Sequence, residues 1–147
     1  MPDPEPTLEE LCQQSPRLLG AEIAPLRGHL QGERYLEVCL RFDVTRLQIR
    51  APEDRDGLAC SFSDATGAAA SLEDARESEP WWRVLGNPLV RAWAIRDPEG
   101  ASAELALQFR LDDANPRIIS LRRTRQGLQA RCEPKEQWQR RVGSGTA

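Results

Sequence analysis

Apolar and polar residues alternate most strictly in "RYLEVCLRFDV". One face collects Leu36, Val38, Leu40, Phe42 and Val44; the other carries Tyr35, Glu37, Cys39, Arg41 and Asp43. A period of two predicts a strand with one buried face. "RLQIRA" continues the pattern with its apolar parity moved to Leu47 and Ile49, which requires a turn or bulge near Thr45. After the turn-like "EDRDG", "LACSF" repeats it with Leu58, Cys60 and Phe62. A second meander follows. "LVRAWAIR" and "AELALQFRL" flank the Pro/Gly turn "DPEGAS", and "RIISLRR" and "GLQARC" flank "TRQG". Leu105, Leu107, Phe109 and Leu111 share one face there, with Glu104, Gln108 and Arg110 on the other; Trp93, aligned with Leu89 and Ile95, is assigned to the core. Ala92, Ala94 and Ala106 are small enough for a helix or another sheet to pack closely against them.

Helical signals are confined to the ends. In "TLEELCQQ", Thr7 and Glu10 have the spacing of a capping box, which predicts a helix over 7–14 that stops at Ser15-Pro16. "PKEQWQRRVG" predicts a second short helix, while 18–30, interrupted by Gly and Pro, reads as an irregular edge strand. From 63 to 80 the alternation fails, and the stretch reads as a long acidic loop or a weak helix near 70–78. Residues 1–6 and 143–147 are expected to be flexible. The sum is a single domain over 1–147 of the α+β class: an antiparallel β-meander sheet or half-open barrel with a short N-terminal helix.

Composition narrows the function. With 39% hydrophobic and 29% charged residues the chain reads as globular. No apolar run approaches the roughly 18 residues of a membrane helix, and the acidic, Pro-rich start does not resemble a signal peptide, so a cytoplasmic location is expected. Cys12, Cys39, Cys60 and Cys132 have no C-x-x-C spacing, and His29 is the only histidine. No metal and no cofactor are therefore expected, and the cysteines read as reduced sheet or core residues. No phosphate-binding glycine loop, dinucleotide fingerprint or G-x-S-x-G elbow is present. A nucleophilic relay could run only through His29, and the chain is expected not to be an enzyme.

Charge is unevenly spread. Residues 116–147 carry eight basic against two acidic groups, a balance of +6, whereas residues 1–115 carry −9. Within 53–80, eight acids face only Arg55 and Arg76. This acidic block runs into "EPWW". Adjacent Trp81 and Trp82 cannot both face inward, so one of them is expected to meet solvent or a partner; the plainer alternative is an indole that covers the open end of the sheet.

Trp82, Gly86, Pro88 and Trp93 form the pattern W-x-x-x-G-x-P-x-x-x-x-W, followed by a Gly-containing hairpin and "ELALQF". This resembles a family of small bacterial domains of unknown function with a strand-rich C-terminal half, over roughly residues 82–121. Where such families carry an aromatic–acidic pair after the hairpin glycine, this chain has Ala101-Ser102-Ala103-Glu104. The resemblance implies a small standalone bacterial protein of the kind found near toxins or mobile elements, and it brings no catalytic residue with it.

The favoured expectation is a non-enzymatic protein-binding module of the immunity or inhibitor type, which binds a cationic toxin. Asp54, Asp56, Asp64, Glu73, Asp74, Glu77 and Glu79 would supply the steering charges, and Trp81 or Trp82 the apolar anchor. The alternative is a nucleic-acid or acidic-ligand binder that uses Arg117, Arg122, Arg123, Arg125, Arg131, Arg140 and Arg141 of the C-terminal hairpin and tail. A homodimer joined through a strand edge is a third reading.

Overall fold

The computed structural model describes residues 3–4, 6–25, 34–43, 45–52, 57–63, 72–96, 98, 102–110, 116–124 and 127–144. In chain order the elements are β1 (Asp3–Pro4), α1 (Pro6–Gln13), β2 (Leu18–Pro25), β3 (Arg34–Phe42), β4 (Arg46–Arg50), β5 (Ala59–Ser63), β6 (Glu73–Asp74), a 3-10 turn (Trp81–Arg83), β7 (Leu89–Arg96), β8 (Ser102–Phe109), β9 (Arg117–Thr124), β10 (Gly127–Pro134) and α2 (Lys135–Ser144). The ten strands among the described residues form one antiparallel sheet in the order β1-β7-β8-β9-β10-β3-β2-β6, with β4 and then β5 added beside β3. It curls into a half-barrel with two short helices, which is the α+β meander that the alternation predicts.

The two meanders meet at a narrow seam. β10 pairs with β3 only through Leu128↔Tyr35 and Gln129↔Arg34. Gly127 opens β10 at φ +135°, and a Cβ there would run into the carbonyl oxygen of Tyr35. Gly127→Ala is therefore expected to cost about 1–3 kcal/mol through strain and repulsion at the seam. Urea unfolding should show this as a lower midpoint at unchanged slope; an unchanged midpoint would mean that the seam tolerates a side chain.

The concave face holds the main core. Leu18, Ala21, Val38, Leu40, Phe42, Leu47 and Ile49 come from one meander and Leu89, Leu105, Leu107, Phe109, Ile119, Leu121 and Leu128 from the other. Leu8, Leu11 and Cys12 of α1 close it from one side, and Ala75, Trp81 and Val84 from another. α1 begins on Pro6, a residue suited to the first helical position. Thr7 thus lies inside the helix, and the capping-box reading, which puts Thr7 before the first helical residue, is corrected: the helix starts two residues earlier than that reading requires.

A second, smaller core lies on the outer face, where Ala106 and Ile118 are covered by Trp138 and Val142 of α2, with Trp93 and Ile95 packed against them. The Trp93 and Trp138 rings stand 4.9 Å apart between centroids. Two of the three alanines singled out are thereby explained: Ala92 joins the main core and Ala106 sits in the core under α2.

Strand bulges account for the positions where simple alternation misplaces a side chain. The β2–β3 register passes from Ala24↔Glu37 to Pro25↔Tyr35, leaving Leu36 unpaired. Leu36 is 52% exposed, whereas Tyr35, assigned by alternation to the polar face, is fully buried. The same ladder skips Leu19 between Leu18↔Phe42 and Gly20↔Arg41, and Leu19 is exposed. In β7 the skipped residue is Val90. That shift keeps Leu89 and Ala92 in the main core but sends Trp93 and Ile95 to the outer face. The 18–30 stretch is more regular than expected up to Pro25: β2 pairs along its length with β3 and over two residues with β6. No helix occurs within 72–80; β6 and a series of turns stand there instead. Phe62 shares its pairing row with Leu47 but remains exposed on β5.

Candidate protein-binding surface

Residues 72–89 are pinned at both ends before they display anything. β6 pairs with β2 through Glu22↔Asp74 and Ile23↔Glu73, and the Ala75 amide donates to the Ala21 carbonyl at 2.7 Å. Beyond the 3-10 turn, Gly86 adopts φ +82°, which suits glycine. Its amide donates to Leu18 O at 2.7 Å, and the Leu18 amide donates to Asn87 O at 3.2 Å. Arg17 adds a bond from its guanidinium to Gly86 O.

Between these anchors the two adjacent tryptophans take opposite roles. Trp81 is fully buried. Its indole Nε1 donates to the Tyr35 hydroxyl at 3.3 Å, and that hydroxyl donates to the Glu79 carbonyl at 3.3 Å. Trp82 is 49% exposed. Of the two tryptophans expected to offer an apolar anchor, only Trp82 is exposed; Trp81 is corrected to a core residue, because its chain of hydrogen bonds satisfies the indole inside.

The carboxylates around Trp82 are less bare than their clustering suggests. Glu79 and Arg83 form a bidentate pair at 2.7 and 2.8 Å, and the Arg83 guanidinium lies 4.6 Å from the Trp82 ring centroid. The hydrogen bond from Arg83 holds the Glu79 carboxyl below the usual carboxylate range. Arg76 does the same to Asp74, with Nε at 3.1 and 3.0 Å from its two oxygens. Glu73 and Glu77 are exposed, and neither forms an ion pair among the described residues. Asp54, Asp56 and Asp64 lie outside the described residues.

Two open grooves flank the turn. One, of about 510 Å³, is lined by Asp74, Arg76, Glu77, Ser78 and Leu85. The other, of about 520 Å³, runs between Glu79, Pro80 and Arg83 and the ends of β9 and β10, where Arg117 and Arg131 line it. The surface thus offers a half-exposed indole, four carboxylates and a ledge on either side.

The basic C-terminal section is divided by the fold. Arg123 of β9 donates to the carbonyls of Gly57 and Pro52 at 2.5 and 2.7 Å. Arg141 is committed to Glu133 at 2.7 Å and Glu104 at 3.2 Å. Arg122, Arg131 and Arg140 are exposed and Arg117 is half-buried; Arg125 lies outside the described residues.

The four cysteines are unbridged. Burial, with a smaller contribution from Glu9, pushes the Cys12 thiol up to about 11, and burial likewise pushes Cys39 up to about 11. Burial also raises Cys132. These thiols stay protonated at neutral pH, the unreactive form. His29 lies outside the described residues. Among the described residues no group of His, Cys, Asp and Glu is arranged to hold a metal, and no helix is long and apolar enough to cross a membrane. No known protein family, curated protein or solved structure matches the chain.

Proposed function

We propose that the chain is a non-enzymatic protein-binding module of the inhibitor or immunity type, docking a cationic protein such as a toxin through the surface centred on Trp82. The observation that carries this reading is the half-exposure of Trp82 on a turn whose neighbour, Trp81, is locked into the core. A large rigid ring held out from a fixed backbone loses little entropy on binding, which is why such residues concentrate interface energy. Glu79 holds the Arg83 that lies against the Trp82 ring, and with Glu73, Asp74 and Glu77, exposed earlier on the same anchored segment, it favours a positively charged partner. Arg76 and Arg83 do not defeat this. Exposed ion pairs are worth only about 0–1 kcal/mol, so a partner's cations can replace them at small cost.

The nucleic-acid reading draws on fewer groups, because Arg123 and Arg141 are held by the protein's own carbonyls and carboxylates.

Capture from the source cell with three immobilised baits tests the proposal: the wild type, Trp82→Ala, and the double reversal Glu73→Lys/Glu77→Lys. The wild type is expected to retain a basic protein. Trp82→Ala should weaken that binding at least about tenfold while changing folding stability by no more than about 0.5 kcal/mol. The reversal should lower the association rate and flatten its salt dependence. No retained partner, or one held equally by all three baits, refutes the proposal.

A further inference from the structure

The hairpin end of β3 and β4 sets two arginines side by side. Arg41 stands directly opposite Arg46, the last pair before the turn in which the Phe42 amide donates to Thr45 O at 2.8 Å. Like charges directly opposed across strands repel. Arg46 is nevertheless only 6% exposed and Arg41 half-buried. The Nε atoms of both are buried without a hydrogen-bond partner. The other nine-tenths-buried ionised side chains among the described residues, Glu104 and Glu133, are ion-paired.

The neighbouring carboxylates do not resolve the mismatch. Glu22 lies two pairing rows away, across from Cys39, and Glu37 four rows away, across from Arg50. Among the described residues neither forms an ion pair with the two guanidiniums; Asp74 is bonded to Arg76, and the charge of Arg41 reaches its carboxyl only as a weak further attraction. A third residue shapes the place. Gly20 lies opposite Arg41, and a Cβ added to it would sit 3.0 Å from the Arg41 terminal nitrogen and 3.2 Å from its Nε. The absence of a side chain at Gly20 lets the Arg41 guanidinium lie close over β2.

We propose that Arg41 and Arg46 form a binding site for a doubly charged tetrahedral oxyanion of the phosphate class, with Gly20 as its floor. Arg41 and Arg46, paired across β3 and β4, bring two planar forks and a charge of +2 to this end of the hairpin, which a dianion with several acceptor oxygens matches in charge. The anion turns a repulsive cross-strand pair into a bridged one and supplies the counter-charge that a buried guanidinium needs. Arg41, the more exposed partner, is the side of entry. The site uses no residue of the Trp82 surface, so either can fail without the other.

Thermal unfolding and calorimetric titration with sodium phosphate, against sodium chloride of equal ionic strength, test it. The wild type is expected to gain melting temperature with phosphate beyond the chloride control. Arg46→Met and Arg41→Met should abolish that gain and weaken phosphate binding at least about tenfold. Arg110→Met, exposed on the other meander, should keep it. If the methionine variants do not fold, Arg41→Lys, which retains charge but loses the fork, and Gly20→Ala, which displaces the guanidinium, should each weaken binding. Phosphoserine run in parallel separates the sources: tighter binding than phosphate identifies a phosphoryl group carried on a larger ligand, and equal binding identifies the free ion. No phosphate effect beyond chloride, or an undiminished effect in the Arg46 variant, overturns the proposal.

Discussion

Trp81→Ala is expected to destabilise the protein by about 3–5 kcal/mol, the cost of truncating a large buried aromatic in a packed core. The side chain is fully buried, and its ring centroid lies 6.4 Å from that of Tyr35. Removing it leaves a cavity where the 3-10 turn meets the main core and takes the Nε1 donor from the Tyr35 hydroxyl. Tyr35 retains its bond to Glu79 O, so the hydroxyl is not left wholly unsatisfied. Trp81→Phe, which keeps most of the ring but loses the donor, should cost less, about 1–2 kcal/mol. Urea unfolding followed by circular dichroism measures both. The contrast with Trp82→Ala is the sharper check, since adjacent, identical residues should differ by several kcal/mol. A Trp81→Ala cost below about 1 kcal/mol would show that this side chain contributes little to the core. Because Trp81 fixes the turn that displays Trp82, its loss should also weaken any partner that Trp82 holds, even where the variant remains folded.

That contrast also marks the reach of side-chain alternation. Alternation identifies where strands occur because burying one face of a strand demands it, and the meanders from Arg34 to Ser63 and from Leu89 to Pro134 follow it closely. It errs at Leu36 and Trp93, and for one reason: each sits at or beyond a residue skipped in the ladder. A bulge reverses inside and outside for what lies beyond it, yet it is decided by the pairing partner, which local sequence does not name. The pairing of β10 with β3, which joins the meanders, has no local signature either, apart from a glycine at 127 that any turn would also favour. The candidate surface was legible in part. "EPWW" marks the place, but which tryptophan turns inward depends on Tyr35, 46 residues away in sequence. The acidic block was overestimated as free charge because Arg76 and Arg83, close along the chain, reach back to Asp74 and Glu79. The Arg41–Arg46 juxtaposition was out of reach, since alternation places both on polar faces without pairing them. Likewise, a net charge of +6 over 116–147 gives no warning that Arg123 and Arg141 are spent inside the fold.

Arg141→Met should be the most costly single change on the outer face, at about 3 kcal/mol or more. Glu104 and Glu133 are only 5% and 3% exposed, and Arg141 bridges them from α2, with a further contact to the Ser120 hydroxyl at 3.4 Å. Burial opposes the charge on Arg141, but the bond to Glu133 and the charge of Glu104 outweigh it and keep the guanidinium ionised. Arg122 stands opposite Glu104 in the β8–β9 ladder without forming an ion pair to it, and one oxygen of Glu133 has no hydrogen-bond partner. Such a cluster is a poor source of stability in itself but costly to break, because losing the cation strands two buried charges. It also fixes how α2 lies. Trp138 and Val142 supply apolar contact with Ala106 and Ile118, which does not specify direction, whereas the paired carboxylates on β8 and β10 position the last turn of the helix. Adding Glu104→Gln and Glu133→Gln to Arg141→Met separates the two contributions. If the cost comes from stranded charge, the triple variant should recover most of the stability in urea unfolding, since neutral amides carry no unpaired charge. If it comes from misplacement of α2, the triple variant should remain as unstable as the single one, and near-ultraviolet circular dichroism should register the loss of the Trp93–Trp138 stack in both.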